Sequence, residues 1–226
     1  VLVIGLTGGI ATGKSSASAL FKAHQIPIVD ADVLARHVVL PGTPGLKKIV
    51  EYFGDEVLLP NGTLDRKKLG SIIFNDEVKR KKLNSIVHPA VRKAMVWKMM
   101  DAWISGEKYC IMDVPLLIEG GLWKWMGKVI VVHCPPEIQL KRLMSRDKST
   151  QEEATSRLNS QMPIDEKLIY ADIVLDNSGS PEALKAQVDA LVKRLDDEVG
   201  YWWLVGWVVP FLAMFTGIGL LLWRWL

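Results

Sequence analysis

The first fifteen residues constrain the fold of this chain more than any other stretch. Residues 1–4 are apolar and mostly β-branched, which is typical of a buried strand, and a glycine-rich segment follows at once. Gly8, Gly13, Lys14 and Ser15 fit the phosphate-loop pattern G-x4-G-K-[ST]. The residues after Lys14 favour a helix, so the pattern lies between a strand and a helix, as phosphate binding requires. The sequence therefore predicts an α/β domain that binds a triphosphate.

The spacing of this loop follows from the chemistry of phosphate binding. A glycine-rich turn points successive backbone N–H groups into one concavity, and the positive end of the next helix adds to the attraction. Lys14 would reach the β and γ phosphates, and the Ser15 hydroxyl would hold Mg²⁺. A glycine-rich turn without a ligand is the weaker alternative. The predicted phosphate-binding residues are Gly8, Gly9, Ile10, Ala11, Thr12, Gly13, Lys14, Ser15 and Ser16.

Composition limits the partners that the chain can have. Its 226 residues are enough for one α/β domain and a little more, and the net charge of +3 is too balanced for a nucleic-acid surface. We therefore predict no nucleic-acid partner. The two cysteines, Cys110 and Cys134, lie in apolar runs without metal-ligand spacing, so we interpret them as buried residues of a reducing compartment. The histidines are scattered, which argues against a structural metal.

Carboxylates follow two of the predicted strands. Residues 26–30 read as a strand that leads into Asp30 and Asp32, and residues 109–113 read as another that ends in Asp113. Strand ends beside a phosphate loop are where α/β proteins hold ligands. Asp30 and Asp32 could therefore bind Mg²⁺ through water or take a proton from an attacking hydroxyl, and Asp113 could be a metal ligand. A helix cap is the structural alternative for Asp32.

Residues 41–105 are predicted to form a helical insertion. It opens on a Pro-Gly-Thr-Pro-Gly segment, and Asp65 can cap a helix that begins with the basic cluster Arg66, Lys67 and Lys68. Cations near a helix start are unfavourable for the dipole, so the cluster indicates an anionic ligand, although a solvated face explains the lysines equally well. His88-Pro89 is predicted to separate this helical region from a second helix over residues 90–104.

Residues 137–165 are predicted to form a charged lid region. Arg142 and Arg146 lie four residues apart and therefore share one helix face. Guanidinium groups beside a phosphate loop can neutralise charge on a transferring phosphoryl group, whereas a solvated face is the alternative. A capping box at Thr150 and Glu153 predicts the start of the next helix.

The alternation of strands and helices predicts a parallel sheet with helices on both faces, over a kinase domain of residues 1–199. Residues 200–226 differ in character. From 202 to 223 no residue is charged, and a helix rising about 1.5 Å per residue would there cross a hydrocarbon core of about 30 Å. Aromatic residues flank both ends, as at membrane interfaces. We predict a C-terminal transmembrane helix, with a buried core helix as the alternative.

Eight stretches follow one another over nearly all of residues 1–197: Gly5-Leu-Thr-Gly-Gly-Ile10, Val29-Asp-Ala-Asp32, Ala35-Arg36, Asp65-Arg66, His88-Pro89, Val114-Pro-Leu-Leu-Ile-Glu119, Gln139-Leu-Lys-Arg142 and Asn177. Together and in this order they resemble the dephospho-CoA kinase family. The resemblance implies a P-loop kinase fold and transfer of the γ-phosphoryl group of ATP to the ribose 3′-hydroxyl of dephospho-CoA, the last step of CoA synthesis. Ala11 and Ser16 depart from the family, which usually has glycine and threonine there; both are small, so phosphate binding should survive.

The resemblance also implies roles for individual residues. Asp32 would be the base or hydroxyl-orienting group and, with Ser15, a ligand of Mg²⁺. The acceptor would be bound by the insertion of residues 41–105, with contacts from Thr7, Arg66 and His88. On the nucleotide side, Arg142 and Arg146 would belong to the lid, Arg142 in a catalytic role, and Asn177 would lie near the adenine.

Three other functions compete with this one. Another small-molecule kinase could use the same scaffold, and a catalytically inactive nucleotide-binding protein at the membrane is the non-enzyme alternative. A regulatory GTPase is disfavoured because no N-K-x-D guanine signature occurs. The need for ATP and a reducing milieu predicts a cytosol-facing protein, anchored by its C-terminal helix in the endoplasmic reticulum or the outer mitochondrial membrane. The sequence does not indicate an oligomeric state.

Overall fold

A computed structural model describes residues 1–74 and 76–200 of the chain. The strands are β1 (Leu2–Gly8), β2 (Ile28–Asp30), β3 (Tyr109–Asp113), β4 (Lys128–His133) and β5 (Ile173–Asp176). The helices are α1 (Lys14–Ala23), α2 (Ala31–His37), α3 (Pro44–Phe53), α4 (Arg66–Phe74), α5 (Glu77–Ile104), α6 (Pro136–Asp147), α7 (Gln151–Asn159), α8 (Ile164–Leu168) and α9 (residues 181–200). Short 3₁₀ helices occupy Asp55–Val57 and Leu122–Trp125.

The strands form one five-stranded sheet in the order β2-β3-β1-β4-β5. Strand β1 is central: it pairs in parallel with β3 from Leu2 to Leu6 and with β4 from Ile4 to Gly8. Strand β5 extends the sheet in parallel beyond β4. Parallel strands bring their carboxyl ends to one edge, so the ends of β1, β3 and β4 share the edge at which the phosphate loop begins. The predicted α/β fold with a parallel sheet is confirmed.

Among the described residues, the first of two compact units comprises residues 1–28 and 102–200. Its core consists of apolar strand residues packed against α1 and α9, and burying such side chains stabilises a fold by roughly 1.5–3 kcal/mol each. The buried members are Ile4, Leu6, Ala17, Phe21, Ile26, Tyr109, Ile111, Ile130, Val132, Leu175, Leu184, Val188, Leu191, Val192 and Leu195. This core fixes the ends of β1 and α1, between which the phosphate loop lies.

The second unit, residues 29–101, is helical and has a hydrophobic core of its own. Val39, Ile49, Phe53, Val57 and Leu69 form that core. The predicted break at His88-Pro89 is wrong, because α5 runs continuously through Pro89 from Glu77 to Ile104. The reason is packing: Leu83, Ile86 and Val87 lie against the core just before the proline, and this contact outweighs the loss of a single N–H group. The acceptor-binding role predicted for residues 41–105 stays a prediction.

The helix starts show which acidic residues are structural. Asp30, not Asp32, caps α2: its carboxylate accepts hydrogen bonds from the backbone N–H groups of Asp32 (2.8 Å) and Val33 (3.0 Å). The alternative interpretation of Asp32 as a cap is therefore wrong. Asp65 accepts from the N–H of Lys68, as predicted for the start of α4. The capping box that opens α7 is also present.

The transmembrane helix in the predicted fold class is not supported. Within residues 1–74 and 76–200, no helix has the length and apolar character needed to cross a membrane. The long helices α5 and α9 carry charged side chains along their length, which a bilayer core disfavours. The predicted span, residues 202–223, lies outside the described residues. The fold class is therefore corrected to an α/β fold with a parallel sheet, without a transmembrane helix. The predicted membrane association is not supported either. The cytosol-facing location stays a prediction.

Candidate nucleotide-binding site

The phosphate loop connects the end of β1 at Gly8 to the start of α1 at Lys14. Gly13 caps the helix in the left-handed region, with φ of 91°, which glycine adopts without steric cost. Inside the loop, the Thr12 hydroxyl and the Thr12 N–H both donate to the carbonyl of Gly9, at 2.9 and 3.3 Å. The loop is therefore a closed turn that leads directly into a helix N-terminus, the arrangement that binds phosphate groups.

Two of the loop glycines are required by close neighbours. A Cβ on Gly8 would lie 2.6 Å from Thr12 Oγ1 and 2.8 Å from the carbonyl oxygen of Val132. A Cβ on Gly13 would lie 2.0 Å from Nδ2 of Asn177. Asn177 is buried, and its Nδ2 donates a 2.8 Å hydrogen bond to the carbonyl of Thr12. Asn177 thus holds the C-terminal end of the loop through the Thr12 carbonyl.

Ala11 is held in a conformation that suits glycine. Its φ is +60°, in the left-handed region that disfavours residues with a Cβ. This is one of the two positions at which the chain departs from the residues usual in the family that it resembles. The backbone keeps the glycine-like conformation, so the departure costs stability without reshaping the loop.

We expect Ala11→Gly to raise the free energy of unfolding by about 0.5–1 kcal/mol, because glycine relieves the strain at a positive φ. The matched control is Ala19→Gly, the same change at an exposed position inside α1, which should lower stability by about 1 kcal/mol. Chemical denaturation of both variants measures the two effects. Equal losses of stability would show that Ala11 carries no strain.

Lys14, the first residue of α1, forms an ion pair with Asp113 at the end of β3. The Lys14 ammonium donates to Asp113 Oδ1; Asp113 is 3% exposed, whereas the Lys14 side chain is 20% exposed. The carboxylate holds the lysine side chain at the mouth of the loop, where an incoming phosphate can reach it. Ser15 and Ser16, the first residues after Lys14, are exposed on the first turn of α1. The roles of Asp113 and Ser15 as metal ligands stay predictions.

A pocket of about 590 Å³ opens beside the loop. Arg142 and Asn177 line it with polar groups, and Gly13 and Ser16 line it next to the phosphate loop. Its apolar wall is made by Ala19, Leu20, Pro181 and Leu184. An apolar slot with a few polar groups, next to a phosphate cradle, suits the flat base of a nucleotide. The geometry thus brings the predicted residues Arg142 and Asn177 to one pocket.

The other lid arginine is engaged elsewhere. Arg146 donates to both carboxylate oxygens of Asp147, at 2.7 and 3.1 Å, and Arg157 donates to the same carboxylate. These hydrogen bonds, led by that of Arg146, lower the pKa of Asp147 to about 2. Arg146 and Arg157 are exposed and bind Asp147 at the surface. Arg142, in contrast, lies partly buried beside Cys134, with its Nη1 3.8 Å from Sγ.

The cysteines have the environment of core residues. Burial raises the pKa of the Cys110 thiol to about 11 and also raises the pKa of Cys134, although the Arg142 guanidinium partly opposes the second shift. Thiolate character, which reactivity requires, is therefore suppressed at both positions. Neither cysteine is suited to act as a nucleophile.

Thr7 is buried, and its hydroxyl donates a 2.9 Å hydrogen bond to the carbonyl of Pro115. This contact ties β1 to the segment after β3. Sequence reasoning missed a second and stronger tie, at Lys167. Its side chain is fully buried, with Nζ 2.8 Å from Glu119 Oε1 and 3.2 Å from the carbonyl oxygen of Gly8. The sequence does place a lysine between Ile164 and Leu168 in a short helix, but this pattern does not reveal which residues the lysine contacts.

Three predicted residues, Asp32, Arg66 and His88, belong to the helical unit of residues 29–101. All three are exposed: Asp32 lies in the first turn of α2, and Arg66 at the start of α4, with Nη2 3.5 Å from the carbonyl of Arg36. Their predicted roles stay predictions.

The same unit contains a pocket of about 1020 Å³. Lys48, Lys82 and Lys93 border it, while Val38, Ile86 and Trp97 contribute apolar surface. A pocket with basic and apolar walls suits a ligand that is anionic at one part and uncharged along another.

Comparison with known proteins identifies the relatives of this chain. The sequence profile of one family, described as dephospho-CoA kinase, matches residues 2–182. A dephospho-CoA kinase of Listeria monocytogenes is 50% identical over 191 residues, covering 84% of this chain and 96% of the relative. One from Arabidopsis thaliana is 46% identical over 190 residues, covering 84% of this chain and 82% of the relative.

Solved structures agree with the sequence comparison. The dephospho-CoA kinase of Campylobacter jejuni superposes with a TM-score of 0.69 at 30% identity, covering 87% of this chain and 98% of that one. A structure from Thermus thermophilus gives a TM-score of 0.72, also at 30% identity, over 86% of this chain and 97% of the other. Sequence and fold thus point to the same group of proteins.

Proposed function

This chain belongs to the dephospho-CoA kinase family, and we propose that it transfers the γ-phosphoryl group of ATP to the ribose 3′-hydroxyl of dephospho-CoA. The products are CoA and ADP, so the chain is a transferase that acts in CoA synthesis. The observation that carries the proposal is the phosphate loop, closed by Thr12 and Gly9 and followed by Lys14 at the start of α1, in a chain that the family profile matches over residues 2–182.

The residues of the first unit bind and orient the nucleotide. The Lys14 ammonium and the backbone N–H groups of the loop, other than that of Thr12, which donates to the Gly9 carbonyl, would hold the β and γ phosphates. The pocket lined by Arg142 and Asn177 would take the adenosine part. The lid arginines Arg142 and Arg146 would neutralise charge that spreads over the transferring group. For Arg146 this requires release from Asp147, which a phosphate with its greater charge can bring about.

Asp32 is the proposed group that orients the acceptor hydroxyl and takes its proton. Its carboxylate is exposed and makes no capping bond, since Asp30 performs that task, so it is available for a substrate. Phosphoryl transfer depends mainly on positioning and charge neutralisation, and a carboxylate at the hydroxyl supplies the first of these.

Mg²⁺ is the proposed metal. Among residues 1–74 and 76–200, no group of three or more His, Cys, Asp or Glu side chains could hold a metal ion, which fits an ion held by one or two protein oxygens and the substrate phosphates. Ser15 and Asp32 would be those protein ligands, with Asp113 as the alternative carboxylate. When bound, the ion neutralises charge on the phosphate oxygens.

The helical unit is the proposed acceptor-binding part, with contacts from Arg66 and His88 and from Thr7 of β1. Its pocket supports this proposal, because dephospho-CoA combines a diphosphate with a long uncharged pantetheine arm. Lys48, Lys82 and Lys93 match the first part, and the apolar surface around Trp97 matches the second.

Product analysis tests the function. The full chain is incubated with ATP, Mg²⁺ and dephospho-CoA, and we expect CoA and ADP to form in equal amounts. Shikimate, adenosine and pantetheine are offered in parallel as acceptors, because another small-molecule kinase is the nearest alternative. Consumption of ATP with one of these acceptors but not with dephospho-CoA would overturn the proposed substrate, and no ATP consumption with any acceptor would favour an inactive scaffold.

A further inference from the structure

A buried lysine, paired with a partly exposed glutamate, contacts the end of β1 where the phosphate loop begins. Lys167 of α8 is completely buried, and its ammonium lies 2.8 Å from Oε1 of Glu119, whose side chain is 22% exposed. The same ammonium donates a 3.2 Å hydrogen bond to the carbonyl oxygen of Gly8, the last residue of β1. Three segments that are distant in sequence, the end of β1, the chain after β3 and α8, therefore meet at a single charged group.

Fold stability alone gives little reason for such a pair. Removing an ammonium group from water is costly, and buried ion pairs can often be replaced by apolar residues without loss of stability. The first unit already has an extensive apolar core that includes Ile4 and Leu6 of β1. A specific orienting task is a better explanation of a charged group at this position.

The geometry of the peptide bond shows what the ammonium orients. The peptide that joins Gly8 to Gly9 is planar and trans, so its C=O and N–H groups point in opposite directions. The Lys167 ammonium holds the Gly8 carbonyl on its own side of the loop. The Gly9 N–H is thereby fixed toward the other side. The Gly9 carbonyl is fixed in turn by the two hydrogen bonds from Thr12.

We propose that Lys167, paired with Glu119, is a positioning residue that sets the orientation of the first peptide of the phosphate loop for ATP. The pair acts through geometry, since the charges of Lys167 and Glu119 neutralise each other and leave little net field at the phosphates. The inference rests on the ATP-dependent function proposed above, and it extends that function to two residues that need not touch ATP.

The test is the double variant Lys167→Met/Glu119→Gln, which removes both charges together and leaves no unpaired buried ion. ATP binding is measured by calorimetry without an acceptor, so the result does not depend on which alcohol the enzyme phosphorylates. We expect the dissociation constant for ATP to rise at least tenfold and kcat to fall by about a hundredfold, because small misplacements of binding groups are costly. The KM for dephospho-CoA and the melting temperature should change little.

The matched control is Lys128→Met/Glu198→Gln. Lys128 and Glu198 also form a lysine–glutamate pair, at 3.0 Å, but at the opposite end of β4 from the phosphate loop. This control should keep wild-type ATP affinity and kcat. A folded Lys167→Met/Glu119→Gln variant whose ATP affinity and kcat stay within threefold of those of wild type would overturn the proposal.

If the double variant does not fold, the single variant Lys167→Arg is measured instead. Arginine keeps the positive charge and can still pair with Glu119, but its donors lie in a planar, rigid fork that is larger than an ammonium and should displace the Gly8 carbonyl. We expect a folded protein with at least tenfold weaker ATP binding. Affinity within threefold of wild type in this folded variant would likewise overturn the proposal.

Discussion

Lys14→Ala is expected to abolish turnover, with kcat falling at least about a thousandfold and the dissociation constant for ATP rising as well. Lys14 begins α1 directly after the phosphate loop and is held at the mouth of the loop by Asp113. Its ammonium is the charged side chain of the loop itself. Without it, the loop would hold the phosphates through backbone N–H groups only. Calorimetric titration with ATP and a turnover assay with dephospho-CoA measure the two effects.

The lysine variant needs a control for stability. Without Lys14, the Asp113 carboxylate would remain 3% exposed and unpaired, and breaking a buried ion pair in this way costs about 3–5 kcal/mol. Lys14→Ala/Asp113→Asn removes the stranded charge and should recover most of the stability but none of the turnover. If this folded double variant turned over at a rate near that of wild type, Lys14 would have no part in catalysis.

Asp32→Asn is expected to lower kcat by about a hundredfold to ten-thousandfold while ATP still binds. The carboxylate would no longer be able to take the proton of the acceptor hydroxyl, whereas the phosphate loop is unchanged. Melting temperature should be unaffected, because Asp32 is exposed and the cap of α2 is supplied by Asp30. Single-turnover measurements and ATP titration separate chemistry from binding.

Asp55→Asn is the matched control for this prediction. Asp55 is another exposed aspartate of the helical unit, and the substitution is chemically identical. Its kcat should stay close to that of wild type. Near-normal turnover in Asp32→Asn would remove this residue from the mechanism and would turn attention to Asp113 as the functional carboxylate.

Local patterns were sufficient to predict the framework. The strands at residues 109–113 and 128–133 are short buried apolar runs, and they form with the predicted bounds. The phosphate loop and the capping box of α7 are likewise fixed by residues within a few positions of each other. Such features depend on backbone sterics and hydrogen bonds that the neighbouring residues determine.

Features that depend on tertiary contacts were not predicted. Pro89 normally ends a helix, but the packing of Leu83, Ile86 and Val87 carries α5 through it. The partners of Lys167 are distant in the sequence, so no local pattern could reveal that this lysine is buried under the loop. The same holds for Arg146, whose engagement with Asp147 depends on the rotamers of exposed side chains. A long apolar run raises a related difficulty. Its length and hydrophobicity can be read from the sequence, but whether it lies in a lipid bilayer or in a protein core cannot.

The central place of β1 in the sheet has a consequence for how the protein folds. This strand is synthesised before its partners, residues 109–113 and 128–132, which emerge only after the whole helical unit. Closing such long loops is slow, and a β1 segment without its neighbours exposes apolar side chains and unpaired backbone N–H and C=O groups on a nascent chain. The ATP-binding loop can therefore mature only late in folding, and nucleotide binding during translation would mark the moment at which the sheet closes.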